Sequence, residues 1–194
     1  MHLRIPRLVL AAVLAACALP AAASPAGAAA ARPCAVGKWK LTNFSAENIG
    51  HVEYTDASKG MKGVCLTVTK SALSYDFTRS KKAVTTGTDS GKPINEWTKY
   101  DKKLKVGVKL RGGAKGTLAL KAKTASGDAT FTRGQAPGRH RSLAAVIRDK
   151  RLWDMVVLKH ASYTCTARTL TFRTHQSWYH GEYQFRATIR YTRR

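Results

Sequence analysis

The chain has 194 residues, 34 of them basic and 11 acidic, for a formal charge of +23. That length suits one domain with a proper core, and neither an internal repeat nor a second domain boundary is visible along it. Such a cation excess bears on solubility, non-specific binding and association rate rather than on fold, and it makes polyanions the natural partners.

The chain opens on a cationic stretch, MHLRIPR, followed by the apolar, alanine-rich LVLAAVLAACAL. Pro20 and the small residues Ala21-Ala22-Ala23-Ser24 come next and offer cleavage sites of A-x-A type. This is the pattern of a secretory signal peptide, too short and small-sided for a spanning helix. Leu14-Ala15-Ala16-Cys17 also resembles a bacterial lipobox, in which Cys17 would be lipidated and anchor the protein to a membrane. Pro20 and the alanine run favour ordinary cleavage instead. Residues 1–31 are therefore expected to be a signal peptide and disordered lead-in, with the folded domain at 32–194 working outside the cytoplasm. That domain carries 32 basic against 11 acidic residues, or +21.

From Val36 onward the chain is rich in short strands. Candidates are Lys38–Phe44, Val52–Tyr54, Gly63–Thr69, Ala72–Thr78 and Glu96–Tyr100, then a hairpin over Lys103–Lys123. Asp128–Arg133, Ser162–Cys165, Thr169–Arg173 and Tyr183–Thr192 follow. Turn clusters at Asp56–Gly60, Thr86–Pro93, Ala125–Gly127 and Gly134–Gly138 separate them. Many short strands with this punctuation predict an all-β antiparallel barrel or sandwich. Ser142–His160 departs from the pattern. Its second half reads either as a strand or as a short helix, which we place around Trp153–His160.

The hairpin KLKVGVKLRGGAKGTLALKAK is the most informative stretch. By parity Lys103, Lys105, Lys109, Arg111, Lys115, Lys121 and Lys123 share one face. Leu104, Val106, Val108, Leu110, Leu118, Leu120 and Ala122 share the other, the period-2 signal of a half-buried sheet. A three-residue loop, Gly112-Gly113-Ala114, keeps both faces consistent. It would set Arg111 opposite Lys115, Lys105 opposite Lys121 and Lys103 opposite Lys123. Opposed like charges oppose pairing, by about 0.8 kcal/mol each at ~5 Å in water. On the last strand Tyr183, Phe185, Ala187, Ile189 and Tyr191 alternate with a polar face on which Arg186 and Arg190 extend the cationic exterior.

Export leaves three cysteines, Cys34, Cys65 and Cys165, and an oxidising compartment favours one disulfide and one spare thiol. In a closed barrel the first and last strands are neighbours, which can bring Cys34 and Cys165 within the ~5.5–6 Å Cα separation a bridge needs. Cys65 alternates with Val64, Leu66 and Val68, so it faces outward if they face the core.

Cys34-Ala35-Val36-Gly37-Lys38-Trp39-Lys40-Leu41 carries a G-x-W triplet, Gly37 and Trp39, at the first strand, and Tyr163-Thr164-Cys165-Thr166-Ala167-Arg168-Thr169-Leu170-Thr171-Phe172 lies near the end. Together these resemble the small exported lipocalin-like proteins of high-GC Gram-positive bacteria, over roughly Cys34 to Arg194. The resemblance implies an up-and-down, calycin-like barrel with Gly37 and Trp39 as structural residues closing one end, and it brings no known reaction. Cys65 and the basic segment Ser142–Lys150 depart from the family's pattern.

Catalytic chemistry is hard to find. No G-x-S-x-G or H-E-x-x-H occurs. His175, His180 and Glu182 could form a metal trio on a hairpin, but polar turn residues explain them more simply, and no metal or other cofactor is expected. His51 and Glu53 read as a surface pair. Asn43-Phe44-Ser45 matches a glycosylation sequon within a predicted strand. Trp97 and Tyr100 among Lys99, Lys102 and Lys103 mix aromatic and basic residues as nucleic-acid binders do, yet export argues against an intracellular nucleic acid. The expected role is non-enzymatic binding of a small apolar ligand in the barrel, or of an anionic envelope polymer on the basic exterior. A secreted enzyme with an unrecognised site and a structural envelope protein without a pocket are the alternatives.

Overall fold

Along β1 (Gly37–Ile49) Trp39, Leu41, Phe44 and Ala46 are buried, whereas Lys38, Lys40, Asn43 and Glu47 are exposed. The step from Leu41 to Phe44 breaks strict alternation at a register shift against the last strand between Leu41 and Asn43, a bulge that keeps both residues inside. The computed structural model describes residues 34–50, 53–134, 141–149 and 156–194. The expected signal segment with Cys17, His51, and Trp153 lie outside the described residues.

The chain continues through β2 (Tyr54–Gly60), β3 (Cys65–Val68), β4 (Ala72–Asp76), β5 (Ala83–Asp89), β6 (Lys92–Asp101), β7 (Lys103–Gly112) and β8 (Lys115–Gly127). Then come β9 (Thr130–Arg133), β10 (Arg141–Ser142), α1 (Leu143–Arg148), β11 (His160–Cys165), β12 (Thr169–Trp178), a 3-10 turn (Tyr179–Gly181) and β13 (Tyr183–Arg193). Every pairing is antiparallel, and β1–β3–β4–β7–β8–β11–β12–β13 returns to β1, which closes an eight-stranded barrel. β2, β5, β6 and β9 carry the same meander toward the opposite end, each next to the continuation of its ring neighbour. Among the described residues no ladder joins β10 to β12, and the ladder that returns to β1 runs through the Cys34 end.

An eight-stranded barrel is just wide enough for its own side chains. Trp39, Leu66, Leu73, Phe77, Leu104, Phe172 and Tyr191 are fully buried. Tyr75, Phe77, Tyr100 and Phe131 stack in succession, with ring centroids 5.6, 5.4 and 6.0 Å apart. Tyr100 is thus a core residue and no part of an aromatic–basic surface.

Several expectations need correction. Asp56–Gly60 belongs to strand β2, with Asp56 and Ser58 turned inward, because polar side chains there find buried partners. The Thr86–Pro93 cluster is the tip of a hairpin. Ser90 and Gly91, at φ +50° and +76°, form a two-residue turn between β5 and β6. Ala125–Gly127 ends β8 rather than forming a turn. Of the segment expected as a helix around Trp153–His160, residues 153–155 lie outside the described residues and 156–160 are not helical; among the described residues the α-helix is Leu143–Arg148. Ser142 caps it by accepting from the Ala145 N–H, and Leu143, Ala144 and Ile147 bury one face against β8. Residues 156–159 are irregular, with Val156, Val157 and Leu158 buried, and His160 opens β11.

Candidate functional site

The hairpin β7–β8 forms one wall. Its inward residues Leu104, Val106, Val108 and Leu118 are buried, with Leu110, Leu120 and Ala122 packed against them. The seven outward cations, Lys103, Lys105, Lys109, Arg111, Lys115, Lys121 and Lys123, are all exposed. The register differs from the expected one by two residues. Gly112 pairs with Gly116, Arg111 with Thr117, Lys109 with Ala119 and Gly107 with Lys121. None of the three anticipated like-charge pairs is formed. A two-residue slip preserves which face each side chain occupies while removing charge repulsion across the ladder.

A large bulge accommodates the slip. Between Lys105 and Gly107 the partner jumps from Ser126 to Lys121, leaving 122–125 opposite Val106 alone. The Gly107 N–H donates to Thr124 Oγ1 at 2.7 Å, and that hydroxyl donates to the Lys121 carbonyl at 2.6 Å. Arg148 of α1 donates to the bulge carbonyl of Ala125 at 2.7 Å. Lys123 therefore sits on a braced bulge, outside any ladder opposite Lys103.

Arg186 and Arg190 are exposed on β13. β11 and β12 lie between β13 and β8, three strand spacings or roughly 14 Å away. Arg186, but not Arg190, borders a different concavity of about 420 Å³, lined also by Ser45, Glu47, Arg173, His175 and Thr188. Arg186 donates to Gln184 Oε1 at 2.8 Å, and His175 Nε2 lies 3.4 Å from the same oxygen. His175, His180 and Glu182 do not gather: among the described residues no group of three potential ligands is poised for a metal. Trp97 lies half-buried on the exterior beneath the Lys82 ammonium, 3.9 Å from its ring centroid.

At the closed end Cys34 and Cys165 are disulfide-bonded, their Cα atoms 6.0 Å apart, and Cys65 is a free, half-buried thiol facing outward. The Cys165 N–H donates to the Ala114 carbonyl at 2.8 Å, which fastens the tip of the cationic hairpin beside the bridge. Trp39 Nε1 donates to the Ala35 carbonyl at 2.8 Å. The Arg193 guanidinium covers the indole at 4.3 Å while donating to the carbonyls of Ala167 and Cys34.

One concavity escaped sequence reasoning. Lys40, Lys62, Arg79, Lys81 and Arg194 ring a depression of about 460 Å³ beside Cys65. These residues come from four separate segments, so no periodicity could have grouped them. The only sequence signal near it is the outward parity of Cys65. Among the described residues one contact ion pair forms, Arg133–Glu96 at 2.9 Å, and the Asp76 carboxylate, opposite Lys103 on the ladder, acts on Lys103 and Arg79 only at longer range. No family model, curated protein or solved structure matches the chain.

Proposed function

We propose that this is an exported, non-enzymatic binding protein of lipocalin-like type whose basic exterior holds an anionic polymer of the cell envelope. The observation that carries the reading is the β7–β8 wall: seven exposed cations on one hairpin, none in a contact ion pair among the described residues. Folding does not reward such a face, since surface cations placed together repel. A polyanion would neutralise them and release its counterions. Small apolar ligands find less support, because fully buried side chains such as Trp39, Leu66, Phe172 and Tyr191 occupy the closed half of the barrel. The two concavities described above lie on the outward faces of the strands, and each has cations in its lining.

The test uses wall teichoic acid and duplex DNA as polyanion probes over a range of salt. Affinity should fall steeply, with a log–log slope approaching about −6 on DNA if all seven cations engage. Lys105→Glu with Lys121→Glu should weaken binding tenfold or more at low salt and leave the unfolding curve unchanged, as both side chains are solvent-facing. Parental affinity in that folded variant would reduce the face to a solubility device.

A further inference from the structure

The depression beside Cys65 differs from the hairpin wall in kind. Lys40 comes from β1, Lys62 from the bend between β2 and β3, Arg79 and Lys81 from the turn after β4, and Arg194 from beyond β13. Five cations thus converge on one concavity that no aspartate or glutamate lines. Its volume, about 460 Å³, lies within the range of sites that enclose small ligands.

The frame is braced. The Leu41 N–H donates to Val64 at 2.8 Å, and the Lys81 N–H donates to the Lys62 carbonyl at 2.9 Å, tying bend and turn together. Gly63 forms the floor at φ +100°, and a Cβ there would lie 2.3 Å from the Arg79 carbonyl oxygen, so only glycine lets the two segments meet. Arg194 Nη1 donates to Cys65 Sγ at 3.3 Å and is held over the rim. Asp76, which does not line the depression, pairs across the ladder with Cys65. It accepts from the Thr78 hydroxyl and N–H, which holds its carboxyl below the usual range against a burial penalty, with Lys103 and Arg79 adding to the effect.

We infer that this depression is a discrete binding site for a compact phosphoryl anion, of the size and charge of pyrophosphate. Arg79 and Arg194 supply forked donors suited to phosphate oxygens, while Lys40, Lys62 and Lys81 act as point charges. The inference goes beyond polymer binding on the hairpin and stands on different residues. The anion could be a free diphosphate or the phosphoryl end of a larger ligand, and both present the same oxygens.

Cys65 is a built-in reporter, because it lines the depression and is the one free thiol among the described cysteines. Its alkylation by neutral iodoacetamide should slow saturably as inorganic pyrophosphate is added, and less with orthophosphate. Lys62→Gln with Arg79→Gln should weaken pyrophosphate tenfold or more by calorimetry. Lys105→Glu with Lys121→Glu should leave it within threefold, which separates this site from the hairpin. A short polyphosphate-terminated ester competing with pyrophosphate would identify the phosphoryl end of a larger ligand as the source; failure to compete would identify the free anion. No saturable protection up to about 10 mM pyrophosphate, or equal weakening in both double variants, would overturn the site and leave only the diffuse field of a basic protein.

Discussion

The two ends of the barrel solve burial differently. At the Cys34 end the ladder returns to β1, and the interior is aromatic and aliphatic around Trp39, Tyr191 and Phe172. At the other end the inward row includes Asp56, Ser58 and Thr85, all nearly buried. Asn48 Nδ2 donates to both Asp56 carboxylate oxygens at 3.1 and 3.3 Å, and Tyr54 donates to the second at 2.5 Å. Ser58 and Thr85 share a hydrogen bond of 2.8 Å. At the Cys34 end the inward side chains are mostly apolar and need few partners beyond packing. The inward polar groups at the other end instead satisfy one another.

The largest expected break in this contrast is loss of the bridge. Cys34 and Cys165 are 131 residues apart in sequence, and a loop of that length corresponds to about 5 kcal/mol of unfolded-chain entropy. Cys34→Ser with Cys165→Ser should lower Tm by roughly 10 °C or more. An unchanged melting curve would mean that the Trp39–Arg193 closure carries that end unaided.

A middle-sized effect should come from the polar end. Asp56→Ala removes the carboxylate that accepts from the Asn48 amide and the Tyr54 hydroxyl, at a cost of about 1–3 kcal/mol in denaturant titrations. Asp56→Asn keeps an acceptor and should cost less. Equal losses from the two would mean that volume, rather than hydrogen bonding, matters at this position.

The smallest effect tests the apolar end for a polar flaw. The Tyr191 hydroxyl is buried with no hydrogen-bond partner among the described residues, and burial, with Tyr75 nearby, holds its pKa well above the usual tyrosine value; burial alone raises Tyr75. In both cases the folded state keeps a proton that the unfolded state gives up above pH ~10. Stability should therefore be complete below pH ~10 and fall above it, by ~1.4 kcal/mol per pH unit for each tyrosine. Tyr191→Phe should be neutral or slightly stabilising at pH 7 and should make the alkaline decline shallower. Clear destabilisation at pH 7 would show that the hydroxyl has a partner in solution.

Alternation along Lys103–Lys123 and Tyr183–Thr192 sufficed to assign the inward and outward faces. A period of two is local and survives any even slip of register. The outward Cys65 and the Cys34–Cys165 bridge were legible for related reasons: parity for one, and the pairing of first and last strands in a closed barrel for the other. Which residues face one another across the hairpin was not legible, because a two-residue slip costs no hydrophobic alternation and is selected by charge repulsion and the Thr124 bulge. β2 and β5 were hidden because their inward residues are polar and resemble turns until their buried partners are known. The helix at Leu143–Arg148 was not singled out, because six residues carry too little periodicity to mark it and its buried face is defined by packing against β8. The depression ringed by Lys40, Lys62, Arg79, Lys81 and Arg194 was decided by tertiary structure alone, since barrel closure sets side by side cations that lie as far apart as residues 40 and 194.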